Sequence, residues 1–333
     1  MNIAINGFGR IGRSIYRILS SKTDCKIVAI NDLSDANALA YLLRHDTVMG
    51  NFAGEVKIES GNLISPNQVV RIINEPDPEK LPWKECEVDI VVEATGIFRE
   101  KEQLEKHIKS GAKKVILTVP SKNEIDYTVV LGVNDEGINE SHNIISNASC
   151  TTNCLAPMAK VLHENFGIVE GVINTVHAYT NDQRLADVPH KDWRRSRAAA
   201  ENIIPTSTGA ARAVGKVLPE LNGKLDGIAS RVPVPNGSAV DLFVKLESEV
   251  TVEKVNDAIL EASNSENFKN ILEYSDSPVV SKDIIGNSSS SIYDVRETRV
   301  LSANYLRTLN WYDNEWGYSN RVVDLIKRLN NFI

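Results

Sequence analysis

The segment Gly7-Phe8-Gly9-Arg10-Ile11-Gly12 narrows the fold of this chain more than any other. It lies between a short apolar run, Asn2 to Asn6, and a stretch in which Ile11, Ile15, Ile18 and Leu19 recur at helical spacing. It therefore reads as a glycine turn joining a strand to a helix. A G-x-G-x-x-G alone is a weak signal. Its weight here comes from Asp32, which closes a second apolar run, Lys26 to Asn31, twenty residues beyond Gly12. Strand, glycine turn, helix and an acidic residue at that distance make a dinucleotide-binding fingerprint. Gly7, Gly9 and Gly12 let the backbone approach a pyrophosphate, whose charge is favoured at a helix N-terminus. Asp32 is expected to accept hydrogen bonds from both hydroxyls of the adenosine ribose and to repel a 2′-phosphate, which favours NAD over NADP.

Further apolar runs at 89–93, 114–118 and 129–133 alternate with polar or helical segments. Short unalternated strands are buried on both faces, so the first part reads as α/β, a Rossmann-type, mostly parallel sheet covered by helices. The pattern changes after about residue 168. In 238–247, Val240, Leu242, Val244 and Leu246 alternate with Asp241, Phe243, Lys245 and Glu247. That alternation predicts strands with one covered face, hence an α+β domain with a mostly antiparallel sheet. Val252, Val255, Ile259 and Ala262 supply a helical stripe to pack on it. Near the end, Val322, Ile326, Leu329 and Ile333 share one side of a helix that Ser319 can cap. Residues 288–291, all serine, read as an exposed turn. The expected division is a nucleotide-binding domain over 1–149 and a catalytic domain over 150–314.

A length of 333 residues suits two domains. No apolar stretch approaches the roughly 18 residues needed to span a bilayer, and the first residues lack the basic region and apolar core of an export signal. Cys25, Cys86, Cys150 and Cys154 are too few for a disulfide framework and read as thiols in a reducing compartment. With 37 Lys and Arg against 44 Asp and Glu, the net charge of −7 argues against nucleic-acid binding through bulk charge. The expectation is a cytoplasmic protein with neither membrane nor nucleic acid as partner.

The second chemical signal is Ser146-Asn147-Ala148-Ser149-Cys150-Thr151-Thr152-Asn153-Cys154. Ser149 can cap a helix running through Leu155, Met158, Ala159 and Leu162 to Gly167. Cys150 then lies in the first turn, where the helix dipole favours a thiolate. His177, on the next predicted strand, could return beside it as a base, giving a Cys–His pair. A cysteine and a histidine so far apart also occur as structural residues. Cys154, one turn deeper, reads as a small buried side chain. No metal site is expected.

The third signal is a set of anion-binding candidates. Arg194, Arg195 and Arg197 precede Pro205-Thr206-Ser207-Thr208-Gly209, and Arg231 precedes Val232-Pro233. Guanidinium forks, hydroxyls and backbone N–H groups suit a phosphate; the arginine cluster suits ion pairs at a subunit surface equally well.

These residues resemble a known family. Residues 4–12, 146–157, His177-Ala178-Tyr179-Thr180-Asn181-Asp182-Gln183 and Trp311-Tyr312-Asp313-Asn314-Glu315 are similar to phosphorylating, NAD-dependent glyceraldehyde-3-phosphate dehydrogenases, in order along the whole chain. The resemblance implies oxidation of glyceraldehyde 3-phosphate to an acyl phosphate, with Cys150 as nucleophile and His177 as base, the pair resting as thiolate and imidazolium. It implies Ser149, Thr151, Thr208 and Gly209 around inorganic phosphate, and Thr180 and Arg231 around the substrate's own phosphate; of the arginine cluster, Arg197 is the one expected to bind phosphate. For NAD it implies Arg10, Ile11, Asp32, Thr118 and Asn314, with Pro76 making at most a backbone contact. It also implies that the helix over 315–333 completes the first domain, and that the chain forms a homotetramer with the charged segment 180–197 at its core. Two other readings share parts of the pattern: an erythrose-4-phosphate dehydrogenase, and an NAD-sensing protein without turnover. Asp187-Val188-Pro189 and Thr206-Ser207-Thr208-Gly209 suit the phosphorylating branch, and a pure sensor has no use for an activated thiol.

Overall fold

The computed structural model describes residues 1–21 and 25–333. It contains two compact units, one of Met1–Val129, Glu136–Ala148 and Ser319–Ile333, the other of Val130–Asp135 and Ser149–Tyr318.

The first unit is built from β1 (Asn2–Asn6), α1 (Arg10–Ser20), β2 (Lys26–Asn31), α2 (Ala36–Arg44), β3 (Lys57–Glu59), β4 (Asn62–Ser65), β5 (Gln68–Ile73), β6 (Ile90–Glu93), α3 (Lys101–Lys109), β7 (Lys114–Leu117), β8 (Tyr127–Thr128) and β9 (Ile144–Ser146). Its strands lie in the order β3-β4-β5-β2-β1-β6-β7-β9-β8. From β5 to β8 every pairing is parallel; β3, β4 and β5 pair antiparallel. Ile3, Ala4, Ile5, Ile90, Val91, Val92, Val115 and Ile116 are wholly buried, as strands covered on both faces require. β1 has β2 on one side and β6 on the other, so successive crossovers leave in opposite directions and open a crevice at the strands' carboxyl ends.

The apolar run 129–133 was expected to be a strand and is not. Val129 still bonds Ser146 through its backbone. From there the side chains of Asn134 and Asp135 capture the N–H groups of Val130 and Gly132 at 2.9 and 2.8 Å, a local alternative to the sheet ladder. The hairpins at 57–73 had no clear sequence signal, because their strands are short and mixed in polarity.

The second unit contains α4 (Cys150–Phe166), β10 (Ile168–Ala178), β11 (Ile204–Ser207), α5 (Ala210–Val217), β12 (Leu225–Val232), β13 (Ser238–Leu246), α6 (Val252–Ser263), β14 (Leu272–Ser275), β15 (Ser291–Asp294), β16 (Arg299–Leu301) and β17 (Tyr305–Tyr312). The sheet order is β11-β12-β10-β13-β17-β15-β14, with β16 also on β17. β10–β12 and β14–β15 are parallel and the other pairings antiparallel. On β13, Val240, Leu242, Val244 and Leu246 are buried while Phe243 is 41% exposed, so the alternation read from the sequence is the alternation of its two faces.

Two expectations need correction. Of the serines at 288–291 only Ser288 is exposed: Ser289, Ser290 and Ser291 are buried, Ser291 opens β15, and Ser289 Oγ donates to Glu273 Oε2 at 2.9 Å. The last helix, α7 (Trp316–Leu329), begins earlier than Ser319. Asp313 starts it by accepting the N–H groups of Glu315 and Trp316 at 2.9 and 2.7 Å, leaving Ser319 inside the helix. Val322, Ile326 and Leu329 are fully buried, but Ile333 lies past the helix end and is 43% exposed.

Candidate active site

In the first unit the glycines act by close approach. Gly7 has φ +94°, and a Cβ there would meet Thr95 N at 2.7 Å; a Cβ on Gly12 would meet Gly7 O at 2.2 Å. Gly9 is the N-cap of α1, which has no side-chain cap and no acidic residue in its first turn. The positive end of the helix dipole therefore meets no anion from within its own helix. Asp32 is aimed by the same turn: Oδ2 accepts Phe8 N–H at 2.8 Å and Oδ1 accepts Ser34 N–H at 2.9 Å. Each carboxylate oxygen has capacity for a further hydrogen bond. Ile11 is half-buried in the first turn of α1. Arg10 is ion-paired to Asp46 at 2.6 Å. Pro76 is exposed on a loop tied to the end of β2, where Asn74 Nδ2 donates to Asp32 O at 3.1 Å. Thr118 is nearly buried, its hydroxyl donating to Glu93 O at 3.0 Å. A backbone cradle that any side chain would fill, an uncapped helix start and an oriented carboxylate fit a dinucleotide.

In the second unit Ser149 caps α4, its Oγ accepting Thr152 N–H at 3.0 Å. Cys150 thereby becomes the first helical residue. The 17 residues of α4 rise about 25 Å, Gly167 at φ +67° reverses the chain, and β10 returns about 30 Å from Ile168 to His177. Near-equal lengths bring the histidine back to the helix start. Cys150 Sγ lies 3.5 Å from His177 Nε2.

His177 is 4% exposed. In the β10–β12 ladder His177 is the partner of Arg231, whose Nη1 lies 2.7 Å from His177 Nδ1 and 3.2 Å from Ala178 O. Ala178 O is also 2.7 Å from His177 Nδ1. Nδ1 therefore faces a carbonyl, which accepts, and a guanidinium, which only donates; in the tautomer whose Nδ1 proton goes to the carbonyl, Nε2 is the acceptor facing the thiol. Tyr312 packs edge-on against the imidazole, and its hydroxyl is 2.8 Å from both Thr151 Oγ1 and Thr175 Oγ1.

The electrostatics oppose one expectation. Burial pushes the Cys150 thiol up, with Arg231 opposing; burial and then Arg231 push His177 down to about 3. Desolvation thus disfavours both charges and works against the thiolate–imidazolium pair expected from the sequence.

The anion candidates separate. Arg231 Nε is buried without a partner, as is Thr206 Oγ1, which is unusual for native polar atoms. Thr208 Oγ1 accepts Ala210 N–H at 3.2 Å and Gly209 is the N-cap of α5. Thr152 Oγ1 bonds Ala210 O at 3.4 Å, so the starts of α4 and α5 are adjacent. Arg195, not singled out from its cluster by sequence, reaches Ser207 O at 3.3 Å and pairs with Asp182 and Asp192. Arg197 is exposed and pairs with Asp187 at 3.1 Å. Thr180 is exposed and bonded to Gln183 Oε1. Asn314 Oδ1 accepts Ser238 Oγ–H at 2.7 Å, and Ser238 Oγ accepts Ala178 N–H. Ser238 lay in no motif, and Tyr312, though within one, was given no role; their part is visible only once strands are paired. Cys154 is buried, 3.7 Å from Asn310 O.

Residues 1–101 match the family model for the NAD binding domain of glyceraldehyde 3-phosphate dehydrogenase, and 149–314 match the model for its C-terminal domain. The chain is 55% identical over 326 residues to the glyceraldehyde-3-phosphate dehydrogenase of Geobacillus stearothermophilus, covering 98% of this chain and 97% of that protein. It is 54% identical over 335 residues to the protein of that name from Borreliella burgdorferi, 99% of each. Against glyceraldehyde-3-phosphate dehydrogenase 1 of Bacillus subtilis it is 53% identical over 98% of this chain and 97% of the other.

Proposed function

The chain belongs to the glyceraldehyde 3-phosphate dehydrogenase family, and from that premise we propose how its own residues carry the reaction. It is an NAD-dependent oxidoreductase of glycolysis and gluconeogenesis that converts D-glyceraldehyde 3-phosphate and inorganic phosphate to 1,3-bisphosphoglycerate. The observation that carries the mechanism is Cys150 Sγ at 3.5 Å from His177 Nε2. Cys150 adds to the aldehyde carbon while its proton passes to Nε2. His177 Nε2–H then gives that proton to the developing oxyanion, forming the thiohemiacetal hydroxyl, and takes it back as the carbon loses its hydride and becomes a thioester. NAD, bound at the glycine turn, supplies the acceptor for the hydride.

Phosphate attack on the thioester releases the acyl phosphate and returns the Cys150 thiolate, which the Arg231 cation favours. Ser149, Thr208, Gly209 and Arg195 gather about the adjacent starts of α4 and α5 and suit the attacking phosphate. Thr151 lies in the same turn, though its hydroxyl is bonded to Tyr312. Arg231, with its unpartnered Nε, and Thr180 suit the substrate's own phosphate. Arg197 is better placed for its ion pair with Asp187. An assay from which aldehyde, NAD and phosphate are omitted in turn tests the reading: NADH formation that continues without phosphate refutes the phosphorylating route and favours simple hydrolysis.

Asp32→Ala is expected to lower the NAD/NADP ratio of kcat/KM at least about tenfold, since it removes the charge that repels a 2′-phosphate. An unchanged ratio refutes the role assigned to Asp32. The chain acts as a homotetramer in this reading. Val172, Ile228 and Phe243 are exposed on the sheet of the second unit, and Leu185, Trp193 and Ile203 on the segment 179–203; exposed apolar surface of this kind marks association faces. A sedimentation mass of one chain at micromolar concentration contradicts it. Among the described residues no helix is long and apolar enough to cross a membrane.

A further inference from the structure

Three hydrogen-bond chains in the first unit end on one fully buried carboxylate, that of Glu93. The indole N–H of Trp83 donates to His107 Nδ1 at 2.9 Å. A tryptophan N–H can only donate, so His107 carries its proton on Nε2, and this donates to Glu93 Oε2 at 3.1 Å. From the other side, Glu75 N–H donates to Asn31 Oδ1 at 2.9 Å, which fixes the Asn31 amide. Asn31 Nδ2 donates to Asn6 Oδ1 at 2.7 Å, and Asn6 Nδ2 donates to Glu93 Oε2 at 2.6 Å. The third chain is Thr95, whose N–H donates to Glu93 Oε1 at 2.9 Å and whose hydroxyl donates to the same oxygen. Each donor's sense is set by its neighbour. Four of them converge on two oxygens, and an ionised carboxylate can accept them all.

The placement of these donors gives the network a use. Asn6 directly precedes Gly7, Asn31 directly precedes Asp32, and Thr95 is the residue against which Gly7 packs. Glu93 thus ties together the ends of β1, β2 and β6 at the crevice where the glycine turn lies. We propose that Glu93 is a positioning residue for the dinucleotide: without touching it, the carboxylate holds the Gly7 turn against Thr95 in the binding shape. The inference rests on the NAD-binding reading above.

Glu93→Gln tests it, because an amide turned either way sets an N–H against a fixed donor. The expected result is a Kd for NAD raised about tenfold or more, as leaving a buried donor unpaired implies, with the kinetic effect on KM for NAD rather than on kcat. Asn6→Ala, which cuts the link but keeps the carboxylate, is expected to raise Kd in the same direction. Leu104→Ala, a fully buried residue of the same unit, is the control: it lowers Tm and leaves Kd unchanged. If the native chain does not bind NAD by titration calorimetry, the cofactor reading fails. If it binds and both Glu93→Gln and Asn6→Ala keep Kd within about twofold while Tm falls, the network is structural and the inference is overturned. Should Glu93→Gln not fold, Asn6→Ala decides on the same criterion.

Discussion

Cys150→Ser lowers aldehyde oxidation by about 10³-fold or more and leaves NAD affinity within about twofold. The loss is large because the hydroxyl is a far weaker nucleophile than the thiolate, and His177 held neutral is too weak a base to ionise it. Binding is spared because the glycine turn and Asp32 belong to the first unit, whereas Cys150 belongs to the second. Retained turnover in the variant discards the covalent route. A parallel loss of NAD binding means the substitution has disturbed the fold instead of the chemistry. Iodoacetamide supplies an independent check: stoichiometric alkylation of Cys150 abolishes activity in the wild type, and the serine variant does not react at that position.

His177→Asn lowers kcat by about 10²- to 10⁴-fold, the range for removing a positioned base, and changes two pH dependences. In the variant the thiol has no acceptor at 3.5 Å, so alkylation of Cys150 rises about tenfold per pH unit toward the raised pKa of the buried thiol. The wild type rises less steeply because proton transfer to Nε2 is available throughout. Stability changes as well. The folded imidazole titrates at about 3 against an ordinary 6.5, so between those values the unfolded chain binds a proton that the native chain refuses. Stability therefore falls as pH drops from 6.5 toward 3, by up to about 1.4 kcal/mol per pH unit from this group, and is unaffected by it above 6.5. The asparagine variant lacks that slope. Urea midpoints at pH 7 and pH 4.5 measure it; equal pH dependence in the two proteins refutes the burial account of His177.

The two groups were expected to rest as an ion pair, and the burial of the site works against it. From sequence, Cys150 has a helix start and His177 a neighbouring strand, which argues for charge stabilisation. Nothing in the sequence reports that the imidazole is buried, or that Arg231 is its partner across β10 and β12. Desolvation and a cation 2.7 Å away reverse the sign for the histidine. Arg231 is thereby in direct contact with the base as well as suited to an anion.

Local signals were legible where one stretch of chain contains the whole cause. The glycine turn, the Ser149 cap, the reversal at Gly167 and the alternation on β13 each depend on spacing and residue type within a few positions. The sequence alone therefore determined a nucleotide-binding strand-turn-helix, a thiol at a helix start and a change of sheet type near residue 168. Tertiary structure decided which arginine of the cluster meets Ser207, that Tyr312 lies beside His177, that Ser289, Ser290 and Ser291 are covered, and that four donors converge on Glu93. These depend on strand register and on desolvation, quantities set by residues tens of positions apart, and a single sequence holds no local record of either.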